Sequence, residues 1–206
     1  MTGLFQFCFS RLTTHHPRLI AFLLLAPALA YTAAAQGAVT AHERAEPYAI
    51  RGSSAAELRV EMNAKGPLGG DGRRHDRYTR WQISWRYGYR SGAGRCEIDR
   101  VHTEVTVTMT LPSWINEAAV PAGLRAQWRR YLDALETHEK GHARNGLDAA
   151  QEIDRAIAAL APLASCDALG TAANAAGNNI IRKYNQRDLD YDRTTDHGRT
   201  QGARFP

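Results

Sequence analysis

His138, Glu139, Lys140, Gly141 and His142 form a run whose residue types and spacing point directly to a reaction. Histidines four apart lie one turn above the other on the same helix face, so both imidazoles can reach one ion. The glutamate beside the first histidine sits at the edge of that face. From there it can take a proton from a water held by the metal without entering the coordination sphere itself. Zinc lowers the pKa of such a water from about 16 to about 7, which gives a nucleophile for a peptide carbonyl carbon at working pH. Glu139 then passes the proton to the leaving amine. The spacing predicts Zn2+ as cofactor, His138 and His142 as ligands and Glu139 as general base. The bland alternative is a hydrogen-bonded histidine pair on an amphipathic helix.

A catalytic zinc takes three protein ligands and one water. One candidate for the third is local. Counting ten residues from His138 reaches Asp148, with Asn145 where metzincins place a turn-forming glycine. On a straight helix Asp148 falls on the far side, about 9 Å along from His142. It can bind only if the helix breaks at Asn145-Gly146. The other candidates are distant in sequence: His75, His102, Asp196 and His197.

The elements that must position these residues read as follows. From Leu124 to Leu160 apolar residues (Leu124, Trp128, Tyr131, Leu132, Leu135, Leu147, Ile153, Ile157) recur at helical spacing, and Pro162 ends the run. The metal motif lies inside this helix, as its mechanism requires. Trp81, Ile83, Trp85 and Tyr87 alternate with polar residues as one strand; Val101 to Leu111 alternates as a second. Cys96 and Ile98 are out of phase with that second face, which predicts a bulge near Asp99-Arg100. The pair reads as an antiparallel hairpin with a medium loop at Ser91–Gly94. A shorter helix is expected over Asp167–Gln186. Gly37–Pro47 reads as a polar leader, Tyr48–Met62 as two short strands or a strand and a turn, and Lys65–Arg74 as a loop. By composition alone Tyr191–Pro206 is a frayed terminus. Strands followed by helices give an α+β domain: an antiparallel sheet packed against the long metal-motif helix and a second, shorter helix. The aromatic strand face is read as core, with a cleft lining as the alternative.

These features together resemble a bacterial family of predicted secreted zinc-dependent proteases. The resemblance rests on Tyr48 and Gly52, Thr79-x-Trp81-x-x-x-Trp85, Cys96, Leu111-Pro112-x-Trp114 and Trp128-x-x-Tyr131. It continues with His138-Glu139-x-Gly141-His142, Cys166 and Tyr191-Asp192-x-x-Thr195-x-His197-Gly198. It implies an exported single-domain metalloprotease whose terminal Thr-Asp-His-Gly belongs to the site. On that basis His197 is the expected third ligand, Asp196 a supporting carboxylate behind it, and Asp148 the alternative. Unlike better-known zincins, the chain has no recognisable Met-turn and no glutamate helix pattern.

The rest of the sequence sets compartment and size. A basic head, an apolar stretch Leu19–Ala30 and small residues at Ala33–Ala35 have the order of a secretory signal peptide. Its apolar run, about a dozen residues, is shorter than the roughly 20 needed to span a bilayer. Residues 1–35 are therefore expected to be a signal peptide and 36–206 one metallopeptidase-like domain, periplasmic or secreted, with no stable membrane insertion after cleavage. Beyond Cys8 the chain keeps two cysteines, Cys96 and Cys166, an even pair expected to form one disulfide in an oxidising compartment. The 26 Lys and Arg against 21 Asp and Glu are spread along the chain without a basic tract, which argues against nucleic-acid binding. The expected partner is a peptide or protein substrate; nothing in the sequence sets an oligomeric state. Two other functions fit the same motif: an envelope-associated module with a structural zinc, or a zinc amidase of cell-wall peptides.

Overall fold

The structure is a computed structural model that describes residues 36–206; the expected signal peptide lies outside the described residues. In chain order the elements are β1 (Gln36–Ala45), β2 (Tyr48–Ile50), α1 (Ala55–Lys65), β3 (Tyr78–Gly92), β4 (Arg95–Thr110), β5 (Pro112–Trp114), α2 (Ala122–Ala158) and α3 (Cys166–Thr195). Strands β3 and β4 form the expected antiparallel hairpin, and α2 and α3 pack on its inner face. The architecture is α+β, with the long α2 against the sheet.

The alternation read from the sequence sets the sheet's inner face. Val101, Thr103, Val105 and Val107 of β4 are buried, and Trp81, Ile83, Trp85 and Tyr87 of β3 pack beside them. Gly88 pairs with Arg100 and Tyr89 with Ile98, so Asp99 is the extra residue of the expected bulge. The aromatic face is core, but its polar tips reach outward. Trp81 and Trp85 donate their ring N–H groups to Asp188 and Asn174 on α3, and Tyr87 donates its hydroxyl to the Gly170 carbonyl. These bonds fix α3 against the sheet.

Several segments differ from the sequence reading. Residues expected as a polar leader form β1, which pairs parallel with β4 at the sheet edge. An edge strand with largely exposed side chains carries no apolar alternation to reveal it. Ala55–Lys65 is a helix where strand or turn was expected. Ser54 caps it by accepting from the Glu57 N–H, and Leu58 and Met62, one turn apart, are its buried face. The Ser-x-x-Glu spacing is the signal that marks this start. The hairpin loop is only Ala93-Gly94, both with positive φ (50° and 73°), a tighter turn than expected. Finally, α3 runs to Thr195, nine residues past Gln186, and the tail beyond it folds back onto α2.

Helix α2 is 37 residues, about 55 Å, and serves two cores in succession. Its first half buries Trp128, Tyr131 and Leu135 with α1, β2, β5 and Phe205. Its second half buries Ala149, Ile153 and Ile157 against the sheet and α3. His138–Asn145 lies between the two. Buried polar groups there are tolerable only if other segments bring partners.

Cys96 and Cys166 are joined in a disulfide, with Cα atoms 5.1 Å apart and a separation of 70 positions in sequence. The bond ties the start of β4 to the start of α3, and Cys96 also exchanges both backbone hydrogen bonds with Leu163. Reduction is expected to lower stability by up to about 4 kcal/mol on the chain-entropy model, read as a lowered urea midpoint. Two free thiols in the mass of the protein purified without reductant would contradict the bond. No helix among the described residues is long and apolar enough to cross a membrane.

Candidate metal centre

On α2, His138 and His142 place their Nε2 atoms 3.1 Å apart, and both residues are buried. The ring orientations are held from behind. His138 Nδ1 lies 2.9 Å from Gln201 Oε1 and His142 Nδ1 lies 3.0 Å from Asp188 Oδ1. With each Nδ1–H given to an oxygen, each Nε2 presents its lone pair to the same point. Asp188 is itself fixed, accepting from Asn145 (2.6 Å) and Trp81 (2.8 Å). Gly146 permits this, since a Cβ there would lie 2.6 Å from the Trp81 ring.

A third acceptor converges on that point from α3. Asp192 Oδ1 lies 3.0 Å from His138 Nε2 and 3.3 Å from His142 Nε2. Tyr191 stacks on His138 (centroids 4.8 Å apart, 14° between planes) and meets His142 edge-on. Its hydroxyl accepts from Gln201 Nε2 at 3.0 Å. Gly141 makes room for it, because a Cβ there would lie 2.3 Å from the Tyr191 hydroxyl oxygen. One helical face of α3 thus brings Asp188, Tyr191, Asp192 and Thr195, whose hydroxyl lies 3.4 Å from His138 Nδ1, against the histidines, and the tail adds Gln201.

The triangle of Nε2, Nε2 and Oδ1 has edges of 3.0, 3.1 and 3.3 Å. Tetrahedral zinc with ligands at about 2.0–2.1 Å requires ligand–ligand separations of about 3.3 Å. The donor set therefore fits the ion. His138, Glu139 and His142 also form a compact group able to hold a metal, their donor atoms all within 4.8 Å of one another. Glu139 is 3% exposed, and its Oε1 lies 2.6 Å from Arg77 Nε. That nitrogen makes no well-directed hydrogen bond, so the contact is an ion pair set off the N–H axis.

Without a metal, three acceptors this close need another positive charge between them. Burial pulls the His142 pKa down, but hydrogen bonds to Asp188 and Asp192 outweigh it and push the value up to about 9. Burial likewise opposes the ionised form of Asp192, yet the His138 and His142 contacts hold its carboxyl well below the usual carboxylate range. In the metal-free protein, the His142 contribution to stability is full below pH about 6.5 and is lost as pH rises through about 9. A metal must displace that proton. Binding of a divalent metal ion at pH 7.5 is expected to release about one proton, measured by calorimetry in buffers of different ionisation enthalpy. Affinity should rise with pH up to about 9, and a pH-independent affinity over pH 7–9 would contradict this.

The expected site residues fall in three places. His138, Glu139 and His142 come together. His197 lies at the rim: its Nδ1 is 3.4 Å from Asp192 Oδ1, its side chain is 68% exposed, and its backbone carbonyl accepts from Arg77. Asp196 takes a left-handed conformation that ends α3 and pairs with Arg199, not with a histidine. Asp148 stays away from the centre. The helix break it requires does not occur, because α2 is continuous through Asn145-Gly146, and its carboxylate pairs with Arg144. The tail packs against the motif: Gly198 (φ 77°) lies so close that a Cβ would be 3.1 Å from His138 Cβ.

Sequence reasoning did not single out Asp188, Asp192, Arg77 and Gln201, which the structure brings into contact with His138, Glu139 and His142. Asp188, Tyr191, Asp192 and Thr195 do carry a signal, the i, i+3, i+4, i+7 spacing of a helix face written in polar residues. No curated protein and no solved structure matches the chain. Residues 45–198, most of the chain, match the family described as "Bacterial protein of unknown function (DUF922)", and the chain belongs to that family.

Proposed function

We propose that this protein is an exported zinc metallopeptidase, acting in the periplasm or outside the cell. The carrying observation is the convergence of His138 Nε2, His142 Nε2 and Asp192 Oδ1 within 3.3 Å of one another, with Glu139 buried beside them. We assign the three zinc ligands to these atoms. His197 takes a place at the rim, and Asp188 and Gln201 orient the rings. A zinc ion bound there supplies a Lewis acid that makes water nucleophilic at neutral pH.

The chain's own groups do the rest. Glu139 accepts the proton of the attacking water as the new C–O bond forms. It returns that proton to the amine nitrogen as the C–N bond breaks. Arg77 fixes the direction of the Glu139 carboxylate. Tyr191 shields one face of His138 from solvent. A closed structural zinc site would have no use for Glu139, a buried carboxylate beside the ligands and paired only with Arg77. The disulfide fits an oxidising compartment outside the cytoplasm.

The test is metal content and hydrolysis of a generic unfolded protein substrate by the mature chain. About one zinc per chain is expected, with activity lost on chelation and restored by zinc. A zinc-loaded protein that hydrolyses neither proteins nor peptides overturns the peptidase assignment.

A further inference from the structure

Beside the metal centre lies a cleft of about 460 Å3 whose lining includes Arg59, Arg74, Arg77, Arg199, Arg204 and His197. The arginines come from three stretches of chain: α1, the segment leading into β3, and the tail after α3. The lining itself includes one acidic side chain, Asp76, and two carboxylates outside it, Glu139 and Asp196, pair with two more of the five arginines. Like charges gathered in a concave surface repel one another and focus a positive potential, an arrangement that an anionic ligand relieves.

The five are not equivalent. Arg59 holds Asp76 with two contacts of 2.8 Å, Arg77 pairs with Glu139 and Arg199 with Asp196. Arg74 and Arg204 have no carboxylate partner among the described residues. Arg74 donates one terminal nitrogen to the Gly66 carbonyl, and Arg204 donates only Nε, to the Arg199 carbonyl. Both residues are exposed, and their remaining guanidinium N–H groups make no hydrogen bond among the described residues, leaving a fork geometry that can grip a carboxylate.

The cleft also touches the reaction centre. Arg77 joins it to Glu139, and His197 joins it to Asp192. A substrate chain with its scissile bond at Glu139 therefore passes the cleft within a few residues.

We infer that this cleft is an anionic subsite, in which Arg74 and Arg204 bind a carboxylate of the peptide substrate and so select acidic peptides. The inference rests on the peptidase assignment above for its substrate class. The carboxylate belongs either to an Asp or Glu side chain or to the free C-terminus, and both present the same group to the arginines.

The experiment measures binding by the zinc-loaded Glu139→Gln chain, which does not turn substrate over, using fluorescence anisotropy of labelled hexapeptides. Glu-containing peptides are compared with Gln counterparts, and free with amidated C-termini. One carboxylate, side-chain or terminal, is expected to improve affinity about tenfold over its neutral counterpart. Which arm shows the gain identifies the source. Arg74→Gln with Arg204→Gln in the same background is expected to remove that gain, and each single variant to remove part of it. Arg86→Gln, which deletes the same charge from the far side of β3 where Arg86 pairs with Glu104, is expected to leave it intact.

Equal binding of acidic and neutral peptides overturns the inference without any variant, so a variant that fails to fold leaves it falsifiable. So does a gain that survives the double substitution, or one that Arg86→Gln lowers equally. Binding of inorganic pyrophosphate, with none of an acidic peptide, overturns it as well. A chain that hydrolyses no peptide but binds acidic ones overturns the peptidase reading and leaves the subsite standing. A chain that hydrolyses and binds Glu and Gln peptides alike does the reverse.

Discussion

Glu139→Gln is expected to abolish hydrolysis while leaving about one zinc per chain. The amide keeps the shape of the carboxylate but accepts no proton at working pH, and positioned proton transfer contributes roughly a hundredfold or more to rate. Zinc should stay because the ligand triangle does not include Glu139: His138, His142 and Asp192 keep their mutual contacts. The substitution does remove the Arg77 ion pair, a contact between groups 13% and 3% exposed, so some loss of stability accompanies it. Metal content measured with the rate separates the two effects. Activity retained within a factor of about ten would reject Glu139 as general base, and loss of zinc would make it a ligand instead.

The second large effect concerns the third ligand. Asp192→Ala is expected to weaken zinc binding by more than about a hundredfold, beyond what loss of an outer partner costs. His197→Ala is expected to weaken it by about tenfold or less. The physical difference is placement. Asp192 Oδ1 lies within 3.3 Å of both ring nitrogens, whereas His197 contacts the set only through Asp192, at 3.4 Å, with most of its side chain in solvent. Competition with a chromophoric chelator reads both constants. The reverse order of effects would return His197 to the coordination sphere. Truncation before Asp196 is a less selective test, because it also removes Gln201, which holds the His138 ring.

Several parts of this molecule were legible in its sequence because a local rule fixes them. Two histidines and a glutamate at helical spacing inside an apolar helical run could occupy only one face, and α2 presents them there. Strict alternation in β3 and β4 assigned the inner face of the sheet, and the phase slip at Ile98 marked the bulge at Asp99. An even pair of cysteines beyond Cys8 pointed to the disulfide. Each of these follows from periodicity or parity, which survive in one dimension.

The third corner of the proposed metal site, Asp192, depends on tertiary structure alone. After Gln186 the apolar rhythm of α3 stops, because its inward face no longer meets the core but the histidines of α2. Asp188, Tyr191, Asp192 and Thr195 continue the same helical period in polar residues, so a hydrophobicity rule ends the helix where the structure extends it. The packing of α3, fixed by Trp81 and Trp85 from β3, then decides which carboxylate reaches the ring nitrogens, and that carboxylate is Asp192. The cationic cleft arose in the same way. Arg59, Arg74 and Arg77 lie far from Arg199 and Arg204 in the sequence, and only the return of the tail across α2 gathers them on one wall. Spacing determines which residues share an element; which elements meet depends on close packing of side chains distant in sequence, and no local pattern encodes that.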